Sequence, residues 1–195
     1  MSAWLVVGLG NPGERYAPTR HNVGARVVER LADRWSTRLR KVRFLAAEAG
    51  DSRVDGSAVW LLRPTTFMNV SGPPVASFAR KRQVDLDRLV VCHDEIDLPF
   101  GALRLKKGGS TAGHNGLRSL VGSLGDPGFH RVRLGVGRPP GHKDPADFVL
   151  EPFSKAERDE VEVLIETAAD AVEALIREGL ARAQDRYNRG TASRE

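Results

Sequence analysis

The sequence predicts a single α/β domain in which helices pack on a twisted, mixed and mostly parallel β-sheet. Two observations lead to this prediction. Short, mostly apolar runs that suit buried strands alternate along the chain with segments whose apolar residues recur at helical spacing. The chain has 195 residues and one cysteine, so it can bury a sizeable core without disulfide bonds. We expect one domain over residues 1–195, with a flexible tail at about residues 190–195.

Five segments are predicted to form strands. Three of them are mostly apolar and suit a buried position, namely Trp4–Val7, Ala58–Leu62 and Leu89–Cys92. The other two, Ala102–Lys106 and His130–Leu134, alternate basic and apolar residues, so that one face of each strand is positively charged. This alternation fits a half-solvated sheet edge as well as a surface that binds an anion.

Helical spacing is seen in three shorter segments and one long one. Asn22 can cap a helix whose apolar positions are Val23, Val27, Val28, Leu31 and Trp35. Residues 74–82 and 115–124 are predicted to form short helices. A longer helix is predicted to begin at the capping box of Ser154 and Glu157 and to end or kink at Gly179.

The formal net charge of +5 is unevenly distributed along the chain. Residues 155–178, within the long predicted helix, carry eight acidic and three basic side chains, and residues 1–154 carry a net charge of +8. We expect the acidic face of the helix to point to solvent. The basic remainder favours a polyanionic partner.

Composition excludes several classes of protein. No apolar run approaches the roughly 18 residues that a membrane-spanning helix needs. No basic segment followed by an apolar one marks a secretory signal. The single cysteine, Cys92, excludes an internal disulfide framework and fits a reducing compartment. We therefore expect a cytoplasmic protein without a membrane partner.

Residues 8–13 match the G-x-G-x-x-G pattern of dinucleotide-binding loops and follow a predicted strand. That function needs a helix that begins at the motif, so that its amide groups hold a pyrophosphate. Pro12 and Pro18 interrupt helical continuity instead, and the acidic residue that would bind a ribose is missing. We interpret the glycines as a loop that brings Asn11 close to His21. A dinucleotide-dependent oxidoreductase remains an alternative that a cofactor-binding test would exclude.

The sequence contains no pattern that is typical of a metal site or a serine nucleophile. The five histidines and one cysteine lack zinc-site spacing, and the carboxylates of His93–Asp97 fall on different faces of a strand end. Gly108–Ala112 is one residue away from a nucleophile elbow, but an amphipathic rather than a buried strand precedes it. We expect neither a metal nor a cofactor.

The remaining candidates for chemistry are one histidine with carboxylate and amide groups from separate loops. His21 precedes the first helix, whose dipole we expect to keep the ring neutral and able to accept a proton. Asp94 follows an apolar strand and could accept the other ring N–H, which would support a general base. Amides that could hold an oxyanion come from Asn11, Asn69 and Asn115. Each of these residues also fits a structural role as a helix cap or turn residue.

Five motifs are together similar to those of the bacterial peptidyl-tRNA hydrolase family. In chain order they are Gly8–Gly13, Thr19–Gly24, Pro64–Gly72, His93–Pro99 and Gly113–Leu117. The resemblance implies a monomeric α/β enzyme that hydrolyses the ester joining a peptide to the terminal ribose of tRNA. This reaction recycles tRNA from peptidyl-tRNA that leaves the ribosome prematurely. The resemblance implies no metal, no cofactor and no stable protein partner.

The resemblance also implies roles for individual residues. His21 would be the general base that activates water, Asp94 would stabilise its proton-accepting form, and Asn11 would help to select a blocked over a free amino group. The positions expected to contact the substrate or to line its channel are Tyr16, Phe67, Met68, Asn69 and Asn115. Those expected to hold the tRNA phosphates are Lys106 and Arg133, assisted by Arg104.

The alternative from another functional class is a non-catalytic RNA-binding module that has kept this fold. The combination of His21 with Asp94 argues against it, because a protein that only binds RNA does not need a general base. The two basic strand faces, Arg104 with Lys106 and Arg131 with Arg133, would serve RNA binding in either case.

Overall fold

A seven-stranded mixed sheet forms the centre of the computed structural model, which describes residues 3–188. In chain order the strands are β1 (Trp4–Gly8), β2 (Arg40–Lys41), β3 (Ala47–Val54), β4 (Ser57–Pro64), β5 (Leu89–Glu95), β6 (Leu103–Lys107) and β7 (His130–Gly135). Their spatial order is β2-β3-β4-β1-β5-β7-β6. The four central strands are parallel, and β2, β3 and β6 run antiparallel to their neighbours. The α/β prediction is confirmed, whereas the tail at about 190–195 lies outside the described residues.

Helices cover both faces of the sheet. They are α1 (Val23–Arg34), α2 (Gly72–Lys81), α3 (Asn115–Leu124), α4 (Pro145–Phe148), α5 (Arg158–Glu178) and α6 (Leu180–Tyr187). Residues from α1 and α5 form one core with Val6 and Val90, and residues from α2 and α3 form a second core with Leu5 and Val91. Neighbouring residues of β1 and β5 therefore point into different cores, which explains why β1 and the first four residues of β5 are apolar on both faces.

The ends of the predicted helices are only partly as expected. Asn22 precedes α1, but its side chain does not cap the helix. The Glu157 carboxylate accepts a hydrogen bond from the backbone N–H of Ser154 at 2.6 Å, as in a capping box. Gly179, with a φ of +86° and a ψ of 169°, separates α5 from α6, because a residue with these angles cannot continue an α-helix.

The sequence analysis missed β2 and β3. β3 contains small and polar residues, and its outer neighbour β2 is only two residues long, so neither resembles a buried strand. The turn between β3 and β4 consists of Asp55 and Gly56, which have φ values of +49° and +81°. Asp-Gly is a strong local signal for a two-residue hairpin turn, and it could have revealed β3.

The acidic face of α5 is accessible to solvent, as expected, but its side chains are also paired with arginines of α1, which was not expected. Three arginines on α1 recur every fourth residue, and acidic residues on α5 recur at the same interval, so the two rows meet where the helices run side by side in the same direction. The ion pairs join Arg26, Arg30 and Arg34 to Glu162, Glu166, Asp170 and Glu173. The negative charge of α5 is therefore balanced within the fold.

The outer edge of β6 is covered by side chains from the last described turn of the chain. Asn188 accepts a hydrogen bond from the backbone N–H of Leu105 at 2.7 Å and donates one to the carbonyl of the same residue at 3.0 Å. Gln184 of α6 donates to that carbonyl as well, at 3.0 Å. The amide of Asn188 thus pairs with the edge strand as a neighbouring peptide group would.

Helix α1 packs directly on the backbone of β5 at Gly24. A Cβ atom on Gly24 would lie 2.1 Å from the carbonyl oxygen of Cys92 and 3.0 Å from the Cα of His93. Only glycine permits this approach, because both neighbours are backbone atoms that cannot turn aside. The contact fixes the start of α1 against the end of β5, where Asp94 lies.

We expect Gly24→Ala to push α1 away from β5. The free energy of unfolding should fall by about 2 kcal/mol or more, as is typical of overpacking in a core. The matched control is Gly122→Ala in α3, where a Cβ meets nothing within 4 Å and alanine should stabilise the helix by about 0.5–1 kcal/mol. Urea denaturation of both variants measures the difference, and equal stabilities would contradict this account of the packing.

Candidate active site

A cleft of about 1000 Å³ opens at the carboxyl edge of the parallel strands. β5 ends in this cleft with Asp94 and Glu95, while Asn11 follows the end of β1. A short 3₁₀ turn, Arg20–Asn22, contributes His21, and the residues before and at the start of α3 form the opposite wall. Loops at this edge of an α/β sheet are the usual place for a binding site.

The turn that carries His21 is held in place by the segment before α5. The backbone N–H of His21 donates to the carbonyl of Val149 at 2.8 Å. The buried Arg20 guanidinium donates to the carbonyl of Pro152 at 2.8 Å and forms an ion pair with Glu157 at 2.9 Å. These contacts, together with the packing of α1, fix the backbone on both sides of the imidazole.

His21 and Asp94 are in direct contact and both are buried. Nδ1 of His21 lies 3.0 and 2.9 Å from the two carboxylate oxygens of Asp94. Because the carboxylate can only accept, Nδ1 carries the proton, and Nε2 of the neutral ring is left with a free lone pair. Within residues 3–188, Nε2 of His21 has no hydrogen-bond partner, so it is available to a molecule in the cleft.

Burial and charge act in opposite directions on the imidazole of His21. Burial disfavours the protonated ring, but the charge of Asp94 and its hydrogen bond outweigh burial, so the pKa of His21 is raised above 6.5. The pKa of His21 thus shifts in the direction opposite to the one that the helix dipole alone would produce. Although burial also disfavours the Asp94 carboxylate, its two histidine partners hold the pKa of Asp94 well below its ordinary value.

His114 completes the group, and the sequence analysis did not select it. Its Nε2 lies 2.8 Å from Oδ1 of Asp94, and its Nδ1 accepts hydrogen bonds from the backbone N–H groups of Gly116 and Leu117. The proton of the neutral ring is therefore on Nε2, which donates to Asp94. Its place just before a predicted helix is the signal that could have identified it as a cap. We call His21, Asp94 and His114 the Asp94 cluster.

Within residues 3–188, the Asp94 cluster is also the group of side chains that comes closest to a metal site. One potential ligand atom from each of its three residues lies within 4.8 Å of the others. However, the nitrogen of each histidine that faces Asp94 carries a proton. In His114 this arrangement is fixed by the two backbone N–H groups that occupy Nδ1. A protonated nitrogen cannot ligate a metal, so the geometry fits a hydrogen-bonded cluster better than a metal site.

Asn11 is held by Asn22 at its backbone and by Met68 at its side chain. The backbone N–H of Asn11 donates to Oδ1 of Asn22, and Nδ2 of Asn22 donates to the carbonyl of Asn11, both at 2.9 Å. Oδ1 of Asn11 accepts from the backbone N–H of Met68 at 2.7 Å. The amide nitrogen of Asn11 is thereby left to donate into the cleft. As expected from the sequence, the loop after β1 brings Asn11 and His21 to the same site.

The other predicted substrate contacts line the same cleft. The residues concerned are Tyr16, Phe67, Met68, Asn69 and Asn115. The rings of Tyr16 and Phe67 pack edge to face with centroids 6.2 Å apart, and Phe67 is 55% exposed. An exposed aromatic face at the mouth of a cleft offers a surface on which a substrate can stack.

The predicted basic residues lie on β6 and β7, outside the lining of the cleft. Arg104 pairs in register with Arg133, and Lys106 pairs with Arg131, so all four side chains share one face of the sheet. Arg133 also donates to Glu95 at 3.2 Å. Arg131 is only 2% exposed, because its guanidinium lies under the loop at residues 108–110. The interpretation of Arg131 as part of an RNA-binding face is therefore wrong.

Comparison with known proteins identifies the family. A family model described as "Peptidyl-tRNA hydrolase" matches residues 5–195. The chain belongs to the peptidyl-tRNA hydrolase family. A peptidyl-tRNA hydrolase of Mycobacteroides abscessus is 55% identical over 186 residues, which cover 95% of each chain. One of Frankia casuarinae is 53% identical over 185 residues, which cover 95% of this chain and 93% of the relative.

Solved structures of the peptidyl-tRNA hydrolase family share the fold. The crystal structure of peptidyl-tRNA hydrolase from Acinetobacter baumannii superposes with a TM-score of 0.90 at 37% identity, covering 95% of this chain and 94% of that one. The resemblance noted in the sequence is thus confirmed, and the chain is a hydrolase of this family. Among residues 3–188, no helix is long and apolar enough to cross a membrane.

We expect Asp94→Asn to lower the pKa of His21 below 6.5, because burial would remain while the carboxylate that offsets it would be lost. This change in pKa alters how the stability of the fold depends on pH. In the wild type the raised pKa stabilises the fold fully below pH 6.5, and this contribution is lost as the pH rises through the pKa of the folded state. In the variant, protonation of His21 should instead oppose folding.

NMR titration of the His21 ring in both proteins measures this pKa. Glu95→Gln is the control, because Glu95 neighbours Asp94 in sequence but pairs with Arg133. An unchanged His21 pKa in Asp94→Asn, or an equal shift in Glu95→Gln, would show that Asp94 does not control the ring.

Proposed function

We propose that the chain hydrolyses the ester between a peptide, or an N-blocked aminoacyl group, and the terminal ribose of tRNA, with His21 as the general base. This reaction would recycle tRNA from peptidyl-tRNA that leaves the ribosome prematurely. The observation that carries the proposal is the contact of Nδ1 of His21 with the Asp94 carboxylate, which leaves Nε2 free in the cleft. Membership of the family supports the substrate class.

In the proposed mechanism, Nε2 of His21 accepts a proton from a water molecule as the water oxygen attacks the ester carbonyl. Asp94 stabilises the imidazolium through its hydrogen bond to Nδ1. The tetrahedral intermediate carries a negative charge on the former carbonyl oxygen, and the amides of Asn11, Asn69 and Asn115 are the donors available in the cleft. The intermediate then expels the ribose oxygen, which takes the proton from His21. The steps require no metal or cofactor.

Asn11 accounts for a preference for blocked amino groups. Because Oδ1 of Asn11 is occupied by the N–H of Met68, only the N–H donors of its amide face the cleft. A donor can bind the carbonyl of a peptide bond, but it has nothing to offer a charged ammonium group. We propose that this arrangement favours peptidyl-tRNA over free aminoacyl-tRNA.

The remaining predicted residues complete the proposed substrate site. Tyr16, Phe67 and Met68 would form its apolar surface, while Lys106 and Arg133, with Arg104, would hold the phosphates of the acceptor arm. The basic face of β6 and β7 adjoins the cleft through the contact of Arg133 with Glu95, which supports this assignment. We propose that the chain acts as a single-domain monomer in the cytoplasm, without a stable protein partner.

His21→Ala should reduce turnover of N-acetyl-aminoacyl-tRNA at least about a hundredfold, since a general base contributes on the order of 10²–10⁴ in rate. Binding of uncharged tRNA should be nearly unchanged, because the imidazole holds no phosphate. Release of free tRNA measures turnover, with unblocked aminoacyl-tRNA as the control substrate. Hydrolysis at the wild-type rate by the variant would refute the role of His21.

Lys106→Ala and Arg133→Ala should each raise KM and reduce the salt dependence of binding, with a change of about one in the slope of log K against log salt concentration. Arg53→Ala is the matched control, since Arg53 is exposed and lies at the end of β3 remote from the cleft. KM measured at low and high salt tests the assignment. An identical KM for all four proteins at both salt concentrations would contradict it.

A further inference from the structure

Arg131 is a buried cation without an acidic group in direct contact. It is 2% exposed and forms no ion pair among residues 3–188, although the charge of nearby Glu95 favours its protonated form. Burial and the neighbouring Arg133 lower the pKa of Arg131 to about 10, so it remains charged at neutral pH. Burying an uncompensated charge is costly, and the cost must be offset by hydrogen bonds to neutral groups.

The hydrogen bonds of Arg131 lead to two different parts of the protein. Nη1 donates to the carbonyl of Ser110 at 2.7 Å, in the loop that covers the side chain, and Nε donates to Nε2 of His93 at 3.2 Å. Since a guanidinium only donates, Nε2 of His93 is unprotonated and the proton lies on Nδ1. Nδ1 in turn donates to the carbonyl of Asp94 at 2.7 Å.

Both contacts of Arg131 converge on His114. The loop at residues 108–113 leads directly to His114, whose backbone N–H donates to the carbonyl of Thr111 in this loop at 2.9 Å. The ring of His93 packs edge to face against the ring of His114, with centroids 5.1 Å apart. His114 is therefore held from one side by the loop and from the other by His93.

We infer that Arg131 is a positioning residue for the Asp94 cluster and not a ligand for tRNA. It ties the loop at residues 108–113 to β5 and fixes the tautomer of His93, so that His114 donates to Asp94 and Asn115 faces the cleft. This inference rests on the proposed function and extends it. It assigns the two arginines of β7 to different tasks, with the partly exposed Arg133 serving the substrate and Arg131 turned towards the catalytic groups.

Arg131→Lys tests the inference, because lysine keeps the buried charge and most of the length but lacks the N–H that reaches His93. We expect kcat for N-acetyl-aminoacyl-tRNA to fall about tenfold or more, since small displacements of catalytic groups are costly, while KM stays within about twofold of the wild type. Ring ¹⁵N chemical shifts should show that His93 is no longer held in its Nδ1–H tautomer. A raised KM with unchanged kcat, or a wild-type kcat, would overturn the inference.

Arg133→Lys is the matched control on the same strand, and it should leave the ¹⁵N shifts of His93 unchanged. His93→Gln is a second variant: it retains an acceptor for Arg131 but removes the ring that packs on His114, so kcat should again fall while KM is kept. A wild-type kcat in His93→Gln would contradict the inference that Arg131 positions His114 through the ring of His93. If the wild type released no tRNA, the proposed function would fail, whereas the His93 shifts would still report on the Arg131 contact.

Discussion

The buried carboxylate of Asp94 is the constraint on which the rest of the site depends. A charged group that is 2% exposed is tolerated only when hydrogen bonds replace the water it has lost, and here two imidazole rings do so. Each ring belongs to a different layer of the fold. His21 arrives from the turn before α1, on one face of the sheet, and His114 arrives from the cap of α3, on the other. The two helix layers are thus joined through one side chain at the end of a central strand.

Charged side chains are arranged differently on the two sides of the fold. The arginines of α1 and the acids of α5 neutralise each other over the side of the sheet that carries α1 and α5. On β6 and β7, by contrast, positive side chains gather near Glu95, and burial together with Arg131 and Arg133 lowers the pKa of Lys106. Like charges are held together there at a cost in stability, which is a common feature of surfaces that bind polyanions.

Local patterns in the sequence predicted most of the fold. The apolar strands and the helices α1, α2, α3 and α5 were predicted because their signals lie within a few neighbouring residues. His21, Asp94 and Asn11 were selected together because each one follows or precedes a predicted element at the same sheet edge. The features that were not predicted depend on contacts between residues that are far apart in the sequence. The burial of Arg131 needs a loop from elsewhere in the chain, the role of His114 needs Asp94, and the pairing of α5 needs arginines more than 130 residues away.

The contact between the Asn188 side chain and strand β6 affects how two copies of the protein can meet. An unpaired edge strand invites a strand of another copy to add to the sheet, which is a common route to aggregation. In the described part of the chain, Asn188 and Gln184 occupy the outward groups of Leu105, the central residue of that edge. The opposite edge is β2, two residues long and made of Arg40 and Lys41, which repel a second copy of themselves. The sheet is thereby protected at both ends against growth by self-association.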